Sequence, residues 1–312
     1  MVTSCRWYAT TVIICTLALA VLGCTPQAGV VPSTGTEDAS MTLMVSIVPQ
    51  QYFVERIAGG RALVGVMVPP GASPATYEPK PEQLRQLSKA DAYFRIRVPF
   101  EDAWMDRIAS ASNNMLVVDT TQGIERVPLA HAHEHDEKVD HNPRETSNEE
   151  EEGLDPHVWL SPDLVKVQAR NIYDAIVVLD PEHAPEYEAN LQAFERDIDA
   201  LVVEIGEILR GHEGAKFLVF HPSWGYFARD FGLEMIAIEV GGQEPSAAEL
   251  AAIITEAKDE GIRVVFAQPE FSTTAAETIA NEIEGEVVLI SPLAREWMDN
   301  MRRVADAFAR AL

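Results

Sequence analysis

Short aliphatic runs alternate with stretches of helical spacing in two separate blocks of the chain. In the first block, 43–48, 63–68, 92–96 and 115–118 read as strands, and 50–58, 81–88 and 101–110 as helices. The strands are rich in Val, Ile and Leu without a clean in–out alternation, the pattern of parallel strands buried on both faces. Ser161-Pro162-Asp163 then opens a further helix, with Ser at the N-cap and Pro in the first turn. In the second block, strands are expected at 216–220, 233–240, 263–267 and 287–290. Helices are expected at 226–231, 247–259, 273–284 and 294–311, the second of them behind a Ser246…Glu249 capping box. Between the blocks, apolar residues fall at Tyr187, Leu191, Phe194, Ile198, Leu201, Ile205 and Ile208. Those steps of four and three predict one amphipathic helix over 181–210, roughly 45 Å long at about 1.5 Å per residue. The fold class that follows is α/β, with two lobes built on parallel sheets and joined stiffly by that helix.

The first 40 residues break this pattern. Arg6 is the sole charged side chain before Glu37, and 8–22 form a mostly apolar run. That run is too short for an ordinary spanning helix and suits the core of a signal peptide. It ends in Val21-Leu22-Gly23-Cys24, which resembles a bacterial lipobox and implies cleavage before Cys24 and a lipid on its sulfur. Residues 25–40, with Pro26, Gly29, Pro32 and Gly35 among Ser and Thr, read as a flexible tether. The expected division is a signal peptide at 1–23, a tether at 24–41 and an N-terminal lobe at 42–180. A connecting helix at 181–211 and a C-terminal lobe at 212–312 complete it.

Composition narrows the chemistry. Lys and Arg number 24 against 49 Asp and Glu, a formal charge of −25, so a nucleic-acid partner is not expected. The three cysteines, Cys5, Cys15 and Cys24, all precede the folded part, which therefore has neither a disulfide nor a thiolate metal site. HExxH, GxSxG, GxGxxG and Walker A motifs are all missing, and an enzyme is not expected.

Histidine carries the remaining signal. The segment 131–152 has four of the eight His and nine acids, with almost no apolar residue, which predicts a mobile surface loop. His131, His133, His135 and His141 beside carboxylates offer nitrogen and oxygen donors for capture of a divalent cation. Two further His stand at the edges of the predicted lobes. His157 lies in Asp155-Pro156-His157-Val158-Trp159, before a helix, and His221 follows a strand in Phe220-His221-Pro222-Ser223-Trp224. Ligands of open α/β sheets gather at strand C-termini, so these two are the candidate ligands of a cleft between the lobes.

The stretches 69–81, 155–162, 220–233, 244–246 and 266–272 together resemble the zinc/manganese class of solute-binding proteins of bacterial ABC importers. The resemblance covers about 42–312. It implies a Zn²⁺ site between two lobes, with Mn²⁺ the lesser alternative, and delivery of the ion to a membrane permease and its ATPase. A monomer, exported and held at the membrane or in the periplasm by its lipid, is the expected form. A metal-buffering or adhesive surface lipoprotein on the same fold is the alternative. The sequence departs from the family twice: Ala75 stands where a first-lobe His ligand is usual, and Ser291 where an acid is common. His157 and His221 remain. Zinc prefers four ligands, and the candidates for the others are Glu239, Glu101, a loop His and water, with Glu239 favoured by its place at a strand end.

Overall fold

Eight short strands among the described residues pair in two sets of four, every pairing parallel. The computed structural model describes residues 41–129, 153–239, 245–270 and 273–312. Strands β1 (Met41–Val45), β2 (Ala62–Val66), β3 (Ala92–Arg95) and β4 (Leu116–Asp119) form the first sheet, in the order β2-β1-β3-β4. Strands β5 (Lys216–Val219), β6 (Glu234–Ala237), β7 (Val264–Ala267) and β8 (Glu286–Leu289) form the second, in the order β6-β5-β7-β8. Both orders step outward from the first strand in two directions. This leaves a switch point between β1 and β3 in one sheet and between β5 and β7 in the other.

Helices α1 (Val48–Ala58), α2 (Pro81–Leu87) and α3 (Pro99–Ala109) connect the first sheet, and α6 (Gly225–Phe231), α7 (Ala247–Asp259) and α8 (Thr274–Glu282) the second. Each helix of the first set begins on Pro at one of its first two positions, where the missing N–H costs nothing. Ser246 caps α7 with Glu249 reaching back to it, as the sequence predicts. The two-residue connection from α6 to β6 needs a left-handed residue at the helix end, and Gly232 supplies it at φ 70°.

Helices α4 (Pro162–Leu179) and α5 (Ala184–Ile208) lie between the sheets in sequence. The expected 30-residue helix is shorter than its periodicity suggests. Pro181–His183 forms a separate 3₁₀ turn, and α5 itself has 25 residues, about 37 Å at 1.5 Å each. Asp180 fixes the break by accepting from the Tyr187 hydroxyl at 2.6 Å and pairing with His183 Nδ1 at 2.9 Å. The predicted stripe from Tyr187 to Ile205 is buried throughout. It packs on α1, α4 and the last helix, α9 (Trp297–Ala311).

Helix α9 reaches both sheets. At its start Trp297 stands edge-on to Phe53 of α1, ring centroids 5.4 Å apart. Near its end Phe308 packs on Phe217 at 4.4 Å and Phe266 at 4.7 Å, the inward residues of β5 and β7. A single apolar core accordingly runs from the first sheet through α4, α5 and α9 to the second sheet. A smaller core under α7 and α8 belongs to the second sheet alone.

Candidate metal centre

The C-terminal ends of the second sheet collect the polar side chains. His221 leaves β5 at the switch point. Phe220 N donates to Phe266 O at 2.8 Å and Glu239 N to Phe220 O at 2.9 Å, so pairing runs past the strand ends and sets both side chains in place. There Glu239 Oε2 shares a hydrogen bond with His221 Nδ1. At the end of β7, Gln268 donates to Ser223 Oγ at 2.6 Å. After β8, Ser291 Oγ bonds Glu270 Oε1 at 2.6 Å.

His157 comes from a segment that is fastened to second-sheet elements. Tyr226 of α6 donates its hydroxyl to Asp155 O at 3.1 Å and accepts from Val127 N at 3.1 Å. Gly225 at the start of α6 permits this approach, since a Cβ there would stand 3.2 Å from Asp155 Oδ2. The Trp159 indole donates to Pro292 O at 2.7 Å, and the Trp297 indole to Trp159 O at 2.7 Å. Ser161, the N-cap of α4, also bonds Asp230 of α6. His157 is thus carried to His221 by a strap already docked on the second half of the chain. The two rings lie 5.2 Å apart, 77° from parallel.

The protonation chemistry follows from these partners. Asp155 Oδ1 accepts from His157 N at 2.9 Å and pairs with its Nδ1 at 2.6 Å. Burial pushes the His157 pKa below the ordinary histidine value, against the pull of Asp155. A neutral ring that gives its Nδ1 proton to Asp155 keeps the Nε2 lone pair for a cation. His221 has Glu239 on its Nδ1 in the same way. Two imidazoles, each backed by a carboxylate, are therefore brought face to edge.

The structure brings His157, His221 and Glu239 together. Cys24 and His131, His133, His135 and His141 lie outside the described residues. Ala75 is exposed in the turn after β2. Glu101 is fully buried among Ser46, Tyr93 and the backbone N–H groups of Ile96 and Val98, at the switch point of the first sheet. Among the described residues, no three His, Cys, Asp or Glu side chains are grouped to hold a metal ion. Asp155 is the residue that sequence reasoning passed over, though its place two residues before His157 was a signal.

A family model described as "ZnuA: Zinc-uptake complex component A periplasmic" matches residues 43–311. The chain belongs to this family. Membership makes it a metal-binding, solute-binding component of an ABC importer. It is 28% identical over 286 residues to the high-affinity zinc uptake system protein ZnuA of Bacillus subtilis (strain 168), covering 89% of this chain and 86% of that protein. It is 25% identical to the manganese-binding lipoprotein MntA of Halalkalibacterium halodurans over 96% of this chain and 97% of that one. A crystal structure of ZnuA superposes with a TM-score of 0.78 at 44% identity, over 87% of this chain and 98% of that chain.

Proposed function

We propose that the protein captures one Zn²⁺ between His157 Nε2 and His221 Nε2 and delivers it to a membrane permease driven by an ATPase. The observation that supports this most directly is the pair of imidazoles, 5.2 Å apart and each hydrogen-bonded through Nδ1 to a carboxylate. Imidazole nitrogen suits zinc, and the carboxylate behind each ring fixes its tautomer and raises its basicity. In this reading Glu239 serves chiefly by orienting His221. The relationship to the Bacillus zinc-uptake protein favours zinc, and the manganese-binding relative makes Mn²⁺ the second reading.

The rest of the chain fits a tethered carrier. Lipid on Cys24 would hold it at a membrane, and no described helix is long and apolar enough to cross one. The His and carboxylates of 131–152 would gather the ion before it reaches the cleft, as nitrogen and oxygen donors to a divalent cation. Binding is followed by calorimetry with a competing chelator. One Zn²⁺ per chain should bind tightly after deletion of 131–152. His157→Ala and His221→Ala should each weaken that site by about a hundredfold or more, given that zinc takes four ligands and two are supplied here. Parent-like affinity in both variants would sink the reading.

A further inference from the structure

Glu270 stands at the mouth of the second sheet with half of its carboxylate in use. Its Oε1 accepts from Ser291 Oγ at 2.6 Å, while its Oε2 is buried without a hydrogen-bond partner among the described residues. A buried carboxylate oxygen left unpaired is costly, and such an orphan calls for an explanation. Among the described residues, no Lys or Arg forms an ion pair with Glu270. Ser291 meanwhile is held from two sides: its Oγ accepts from Leu293 N at 3.1 Å and its carbonyl accepts from Asn300 Nδ2 at 2.7 Å. The serine is therefore a fixed post, and Glu270 is anchored to it by one oxygen.

Both loops that carry this pair flank the histidines. The loop of Glu270 begins at Gln268, which bonds Ser223, and Ser223 N bonds His221 O at 2.8 Å. The loop of Ser291 continues to Pro292, whose carbonyl holds Trp159, and the Trp159 ring lies 5.2 Å from that of His157. Zn²⁺ on two neutral imidazoles would keep its full 2+ charge in a partly dry place, which an anionic ligand would lower.

We infer that Glu270 supplies the carboxylate ligand that completes the His157–His221 site through Oε2, pivoting about the oxygen held by Ser291. The inference rests on the metal reading above. The pivot is required because Glu270 is not grouped with the two histidines in the present arrangement. It gives Ser291 a defined part as the positioning residue of the ligand rather than a ligand itself.

The test uses the full lipid-free chain with Zn²⁺ for affinity and Co²⁺ as a spectroscopic probe of coordination. Glu270→Gln should weaken Zn²⁺ by about tenfold or more and change the visible Co²⁺ absorption, as loss of an oxygen ligand does. Ser291→Asp in that background should recover affinity, because it restores a carboxylate beside the same position. Glu270→Asp, with its shorter reach, should give an altered Co²⁺ spectrum, and it replaces the Gln variant should that one not fold. An unchanged Co²⁺ spectrum in these variants, with or without lower affinity, overturns the inference. A parent chain that takes up no Zn²⁺ overturns both readings. A parent that binds through His157 and His221, with Glu270→Gln indistinguishable from it, overturns this one alone.

Discussion

Asp155 shows how a single side chain settles the chemistry of its neighbour. One oxygen serves both the backbone and the ring of His157, so the turn and the tautomer are fixed together. Asp155→Asn keeps the shape but removes the charge, and partners of this kind are worth about 10–100-fold in metal affinity. Zinc affinity should fall within that range by calorimetry while the metal-free unfolding midpoint moves little; an unchanged affinity would reduce Asp155 to a turn residue. A contrasting carboxylate is Glu101, whose pKa burial pushes up while Ser46 and Tyr93 pull it down. Its folded pKa lies above its unfolded one, so the stability it contributes is fully present in acid and is lost as pH rises through the folded value. His157 and His221 were legible in the sequence because each sits in a Pro- and Trp-rich turn at a lobe edge. Glu270 was not, because its partner Ser291 is 21 residues away and meets it only through the pairing of β7 with β8.

At the scale of elements, periodicity placed the strands and helices well and misplaced their ends. The strand expected over 233–240 is regular only over Glu234–Ala237, with Ile238 N and Glu239 N still bonding Val219 O and Phe220 O beyond it. Helix α9 starts at Trp297 rather than 294 because the preceding residues form the turn whose Pro292 carbonyl holds Trp159. The N-cap of α4 was legible, and its second partner was not. Ser161 Oγ accepts from Leu164 N at 3.3 Å and also bonds Asp230, tying the cap of an 18-residue helix to α6. Ser161→Ala should cost about 1 kcal/mol for the cap, and more once Asp230 loses its partner. Urea unfolding should show a lower midpoint with an unchanged m-value; a midpoint equal to the parent's would mean that water replaces both bonds without loss.

Across the whole molecule, two helices integrate what the sequence separates into lobes. The joining role expected of α5 is shared with α9, whose ends touch α1 and the second sheet. Trp297 is the point where this frame meets the site. Its ring packs on Phe53, and its indole N–H holds the carbonyl of Trp159, two residues from His157. Trp159 in turn holds Pro292, so one relay runs from α1 through α9 and the strap to the loop after β8. Trp297→Phe keeps an aromatic ring against Phe53 but leaves a buried carbonyl without its donor, at a cost of about 1–3 kcal/mol. The strap would also be freer to move, and in the proposed site a loosened His157 would hold zinc less well, because positioning is part of affinity. Phe53→Leu separates the two effects: it disturbs the same packing without touching the carbonyl. Both variants should lower the metal-free unfolding midpoint, and only Trp297→Phe should weaken zinc binding in a chelator competition. Equal zinc affinity in the two would show that the indole bond steadies the frame and contributes nothing to holding His157.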